Sequence, residues 1–173
     1  ASKAGRATEI EEILGYHLAQ AYELRSELGA LDEEAVQLGR RAADRLAPAG
    51  LRAFSRGDMP AAANLLERAA HTLPDDERTK PRLLARAGEA RMETGAFREA
   101  VALYDEAESI ARASGDAVAA GIAELGRVRL RYLTGDGVSD ADARETVERL
   151  TPIFEAGGDH RALAGCARLL FNV

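Results

Sequence analysis

Three histidines, one cysteine and an acidic loop are the side chains of this 173-residue chain whose types could do chemistry. Zinc ligation needs three or four converging nitrogen or sulfur ligands. His17, His71 and His160 are far apart, never in H-x-x-x-H spacing, and Cys166 is the single cysteine. His17 reads as a residue on a partly buried helix face, and His71 and His160 as helix-end residues. A nucleophilic thiol needs a basic neighbour, and the sequence designates none for Cys166, which reads as groove-lining or core. The stretch "TGDGVSDAD" carries two glycines and three aspartates. It fails the D-x-[DN]-x-[DN]-G spacing of a calcium loop. It reads instead as a loop in which Ser139 caps the next helix and Asp142 sits in its first turn. Glu11, Glu12, Asp32, Glu33 and Glu34 read as helix N-terminal charges and solvated faces. No G-x-x-x-x-G-K-[ST] or G-x-G-x-x-G loop is present to cradle a phosphate. The expectation is a chain with no catalytic residue, no metal and no cofactor, and not an enzyme.

Composition narrows the elements that must position any site. The chain is 46% hydrophobic but only 5% aromatic, with no Trp. Alanine-rich sequence of this kind suits close helix packing better than a β-sandwich. Charged residues make up 30% and the net charge is −6, which argues against direct binding to a nucleic-acid backbone. One cysteine rules out an internal disulfide framework. No signal peptide and no apolar run near the roughly 18 residues of a membrane span is found. A cytoplasmic chain is expected. It begins with Ala1 and stops at "ARLLFNV", inside an apolar helical pattern, so it reads as a fragment of a longer protein.

Helical periodicity runs almost throughout. Residues 7–29 form an expected helix closed by Gly29. Residues 31–57 form a second, capped by Asp32 and kinked or split by Pro48 near Leu46–Ala47. Gly57-Asp58 is a tight turn, and Asp58 caps "MPAAANLLERAAHTL". "PDDERTK" is a polar linker, with Pro81 in the first turn of the next helix. Gly115-Asp116 and Gly157-Gly158-Asp159 repeat the glycine stop followed by an aspartate cap.

The helices also repeat. Gly50, Gly88 and Gly126 stand 38 residues apart, and Gly165 follows 39 later, in "APAGLRA", "ARAGEAR", "AELGRVR" and "ALAGCAR". A helix-interior glycine costs roughly 0.5–1 kcal/mol relative to alanine. Its recurrence predicts close backbone approach between paired helices. The complementary face is Ala100, Tyr104 and Ala107, small–large–small, and Gly95 ends one helix so the chain can reverse.

These residues resemble the tetratricopeptide repeat. Leu84, Ala87, Gly88, Gly95, Phe97, Ala100, Tyr104 and Ala107 fall at the signature places, as do Leu46, Gly50, Gly57, Ala62, Leu66, Ala69 and Pro74 one unit earlier. The resemblance implies one all-α domain over 1–173, a right-handed α-solenoid of antiparallel helix pairs. Its units span about 8–42, 43–80, 81–118 and 119–157, with a partial unit at 158–173. Gly50, Gly88, Gly95, Ala100, Tyr104, Ala107, Gly126 and Gly165 would be its structural repeat residues. The third unit departs, because "ARETVERLTPIFEA" lacks the small–large–small face. The first segments are also similar to the repeat tail of actinobacterial multidomain signalling proteins, which join a cyclase or DNA-binding domain to an ATPase and then to such repeats.

The resemblance further implies a concave groove lined by the first helix of each unit. Its residues would be Glu12, Tyr16 and Ala19; Ala47, Leu51 and Phe54; Arg82, Ala85, Glu89 and Met92; and Ala123, Arg127 and Leu130. Arg82 and Arg86 match two basic places of a carboxylate clamp whose asparagines and other lysine are absent here, so that activity is not carried over. The expected function is a protein- or peptide-binding scaffold within a bacterial regulator. The alternative is a ligand- or peptide-sensing domain whose curvature controls an attached ATPase, cyclase or DNA-binding domain. Neither nucleic acid nor membrane is an expected partner. Leu163, Leu169, Leu170 and Phe171 would leave an apolar face on the last helix, through which the chain would self-associate.

Overall fold

A computed structural model describes residues 3–29 and 32–173, with side chains from Ile10 onward. Among the described residues there are eight helices and no strand: α1 (Lys3–Glu27), α2 (Glu33–Ser55), α3 (Met59–His71), α4 (Lys80–Glu93), α5 (Phe97–Ser114), α6 (Ala117–Thr134), α7 (Asp140–Ala156) and α8 (His160–Phe171). The expected all-α class is therefore what the chain adopts.

Local chemistry sets most boundaries. Asp32, Asp58, Asp116 and Asp159 each accept a hydrogen bond from the backbone N–H three residues on, at 2.8, 3.2, 2.9 and 3.0 Å. Such a cap satisfies one of the donors that every helix start leaves without a partner. Ser139 and Asp142 form a reciprocal capping box at the start of α7. Gly95 and Gly115 follow α4 and α5 at φ of +78° and +73°, where a side chain would be strained. Ala96, which precedes α5, has φ −80° and ψ 63°, close to the backbone of Asp58, Asp116 and Asp159, yet carries no capping side chain.

Two expected boundaries are corrected. α2 is continuous through Pro48. Pro48 and Asp44, whose carbonyl loses its helical partner, both lie on the exposed side of α2, where water can satisfy that oxygen. The expected unit boundary at 42/43 consequently falls inside α2. In addition, "PDDERTK" is not wholly a solvated linker. Lys80 is buried, and its Nζ donates to the Leu73 carbonyl at 3.2 Å and to Asp75 at 2.6 Å, fastening the loop to α4.

Consecutive helices pack against each other, and their contacts fall evenly about each turn, as antiparallel neighbours require. Gly15 meets Leu46 and Gly39 meets Tyr22 across α1–α2, Gly50 meets Leu66 across α2–α3, and Gly88 meets Tyr104 across α4–α5. At Gly39 a Cβ would also overlap the Thr72 carbonyl oxygen. Gly50 and Gly88 are buried at these contacts, as expected. Gly126 departs from expectation. It is half-buried, and a Cβ there would meet Tyr104 of the preceding helix, not α7. The glycine of α6 that receives α7 is Gly121, against Phe154 and Leu150. Five residues apart, the two glycines point about 140° apart around the helix.

The core is built on alanine and leucine. One cluster runs from α1 to α6 and includes Leu46, Leu66, Leu84, Ala100, Tyr104 and Ala107. A second joins α6, α7 and α8 through Leu125, Leu150, Phe154, Cys166 and Leu169. Ile122 packs against both. Each fully buried Leu or Phe contributes roughly 1.5–3 kcal/mol relative to exposure. Leu169 is thus covered, and Leu163 half-buried, contrary to the expected open face of α8; Leu170 and Phe171 remain exposed. A larger apolar exposure lies on α1, at Ile10, Ile13, Leu14 and Leu24, and continues at Leu28 just after it. Even-numbered helices also meet directly, α4 on α6 and α6 on α8.

Candidate functional site

Where α4, α6 and α8 come together they enclose a cleft of about 190 Å³. Each helix supplies one face. On α4 these are Arg82, Arg86 and Glu89, spaced i, i+4, i+7. On α6 they are Ile122, Leu125, Gly126 and Arg129, and on α8 Arg161, Gly165 and Arg168. Asp159, the cap of α8, closes one end, and the Tyr104 ring forms part of the floor.

Electrostatics dominate the cleft. Glu89 is central: its carboxylate is paired with Arg86 and accepts a hydrogen bond from Arg168 at 3.0 Å. Burial pushes the Glu89 carboxyl up, but Arg86 and Arg168 more than reverse this and hold it below the ordinary range. For Arg86, burial lowers the pKa, Glu89 partly restores it, and the nearby Arg161 guanidinium lowers it further. Arg86 and Arg161 lie against the same Phe54 ring, at 5.0 and 5.2 Å from its centroid. Arg82 reaches Asp159 at 3.5 Å and Asp116 at 3.7 Å. Arg129 touches Glu93 at 3.4 Å through one terminal nitrogen, while its Nε is buried with no hydrogen-bond partner. Burial pushes the Tyr104 hydroxyl well above the usual phenol range.

Of the expected groove residues, the structure brings Arg82 and Glu89 into the cleft and Phe54 to its edge. Ala85, though buried, also lines it. Met92 and Leu130 are core residues, 6% and 4% exposed, and Ala19 and Ala123 are likewise buried. Arg127 points to α5, where it pairs with Asp105 at 2.9 Å and Glu108 at 2.7 Å. Burial works against its charge, but these carboxylates raise its pKa. Tyr16 lies on α1 beneath the Arg68 guanidinium, 4.3 Å from its ring centroid, away from the cleft. Leu51 is exposed and outside it. Gly126 and Gly165, read as packing residues, both line the cleft.

Arg129, Arg161 and Arg168 were not singled out by sequence reasoning. A signal existed: an arginine stands three residues after each of Gly88, Gly126 and Gly165, as Arg91, Arg129 and Arg168. Two of the three reach the cleft, while Arg91 pairs with Glu67 and Asn64 of α3.

His17 is exposed rather than partly buried. His71 ends α3 and His160 begins α8, as expected, and His71 lies 3.5 Å from Glu106. Cys166 is core, and burial pushes its thiol up, away from nucleophilic reactivity. Among the described residues no group of three or more His, Cys, Asp or Glu is placed to hold a metal ion, and no helix is long and apolar enough to cross a membrane.

Comparison with known proteins finds no family model, no curated protein and no solved structure that matches this chain.

Proposed function

We propose that the chain is a tetratricopeptide-type α-solenoid that binds a protein or peptide partner along the face of its even-numbered helices, as a scaffold module of a larger bacterial signalling protein. One observation carries this reading. Helices separated by a hairpin partner meet directly, α4 on α6 and α6 on α8, and turn Arg82, Arg86, Glu89 and Arg168 toward one shared hollow, with Phe54 of α2 at its edge. A stack of helix hairpins buries its apolar faces only between neighbours, which leaves such a continuous inner surface for recognition. Rings and guanidiniums are the side chains that anchor interfaces best.

A second reading is favoured by the two ion pairs that span the hollow, Arg168–Glu89 and Arg82–Asp159. A ligand that replaced them would alter how α8 sits on α4, so the same surface suits a sensor whose curvature controls an attached domain.

Peptide display against the chain tests the scaffold reading. Selected peptides should lose binding in Phe54→Ala and Arg82→Ala and keep it in Arg98→Ala, on the outward side of α5. Peptides whose binding depends on odd-numbered helices alone, or a selection that enriches none, would overturn it.

A further inference from the structure

We infer that the cleft between α4, α6 and α8 is a binding site for a compact oxyanion of the phosphate monoester kind. This goes beyond the scaffold reading and does not depend on what covers the rest of the groove.

The charge count points to it. Arg82 reaches both Asp159 and Asp116, and Arg129 reaches Glu93. Arg86 and Arg168 share the single carboxylate of Glu89, with Arg161 close by. Among the described residues, Arg161 has no carboxylate partner and rests only on the Phe54 ring, alongside Arg86. Two guanidiniums on one ring repel each other, and Arg161 depresses the pKa of Arg86. Five arginines and four carboxylates leave one positive charge in excess, in a chain whose net charge is −6. Like charges held together at a partly buried site are unfavourable without a counter-ion.

The donor geometry agrees. The Arg129 Nε is buried, unpartnered and on the α6 wall of the same cleft. Guanidinium forks match phosphate oxygens, and a phosphate monoester brings close to two charges with three acceptor oxygens. A volume of about 190 Å³ holds a phosphate and the few atoms that carry it. Glu89 then acts as an internal competitor, occupying Arg86 and Arg168 in the empty site.

The test is titration of the full chain with inorganic phosphate at constant ionic strength, by calorimetry and by NMR of arginine Nε–H groups. We expect one saturable site with a dissociation constant on the order of 1 mM, with the Arg129 Nε–H resonance shifted. Arg161→Gln and Arg168→Gln, both exposed positions, should weaken binding about tenfold, while Arg112→Gln, outside the cleft, should not. Glu89→Gln should tighten it several-fold. Phosphoserine within a peptide binding far more tightly than free glycerol phosphate would identify a phosphorylated partner; equal affinities would identify a free phosphate ester. Absence of saturation, wild-type affinity in Arg161→Gln with an unmoved Arg129 resonance, or no tightening in Glu89→Gln would overturn the proposal. Display-selected peptides that bind normally in an Arg161→Gln chain would leave the scaffold reading standing while this one fell.

Discussion

Gly126→Ala tests the close approach that joins α5 to α6. The edge of the Tyr104 ring is inserted between α4 and α6. A Cβ built at Gly126 would lie 2.5 Å from Tyr104 Cζ and closer still to Cε1. Carbon atoms rest at about 3.5–4.0 Å, so ring or helix must give by about 1 Å. Retreat is blocked on the other side, where a Cβ at Gly88 would already stand 2.9 Å from Cε1. Tyr104 is 2% exposed, with its ring edge held between the two helices. Overpacking of this kind costs roughly 1–3 kcal/mol, and the better helix propensity of alanine returns roughly 0.5–1 kcal/mol. The net expectation is a loss of about 1–2 kcal/mol, or a fall of about 2–8 °C in Tm for a chain of this size. Thermal and urea melts followed by circular dichroism measure it. Tyr104→Leu in the same chain should absorb the clash, so the double variant should be more stable than the sum of the singles by about 0.5 kcal/mol or more. Gly165→Ala is the control, because its Cβ would meet only the flexible Leu125 Cδ2, at 3.1 Å, and the melt should be unchanged or slightly raised. If Gly126→Ala raised Tm, or if the two changes were strictly additive, Tyr104 would not be the wedge between α4 and α6.

Two further outcomes follow from single sites. Ala96→Asp should stabilise by about 0.5–2 kcal/mol, because the backbone there has the same extended-turn geometry as the three Gly-Asp caps; an unchanged melt, with no slowed amide exchange at Glu99, would mean the cap does not form. Glu89 titrates lower folded than its ordinary value of 4.5, so its stabilising contribution is complete above that pH and is lost as pH falls through the lower folded value. The Tm difference between wild type and Glu89→Gln should therefore be constant from pH 7 to about 5 and shrink below about pH 4.5; a difference that grew on acidification would contradict the ion-paired geometry.

How much was legible in the sequence depends on how local the cause is. The glycine–aspartate punctuation is written within four residues, so the caps at Asp58, Asp116, Ser139 and Asp159 could be placed from residue order alone. The small–large–small face of Ala100, Tyr104 and Ala107 was readable because helical spacing fixes which residues share a side, and all three are buried. Pro48 misled because propensity treats an internal proline as a break, while on the exposed side of α2 water can satisfy the freed Asp44 carbonyl and the helix continues. Gly126 misled in another way. A repeat period says that a residue type recurs, not which neighbour it meets, and on α6 the contact with α7 passed to Gly121, outside the period.

The cleft depends on causes further apart still. Glu89 and Arg168 are 79 positions apart and meet because α6 holds α4 and α8 at a set rotation. In one dimension Arg161 and Arg168 are ordinary charges on a helix face. Only the packed geometry places them over a carboxylate already claimed by Arg86. The same geometry explains why Met92, Arg127 and Leu130 left the expected groove. Closely packed alanine-rich helices narrow the inner face, so a side chain one step around the helix from Glu89 or Arg129 enters the core or the neighbouring hairpin. Small residues therefore do two things here: they draw the backbones together, and by doing so they crowd arginines from three helices into one small space. The excess positive charge is a consequence of the packing that the periodic glycines permit, which is why a substitution such as Gly126→Ala should disturb both the fold and the cleft.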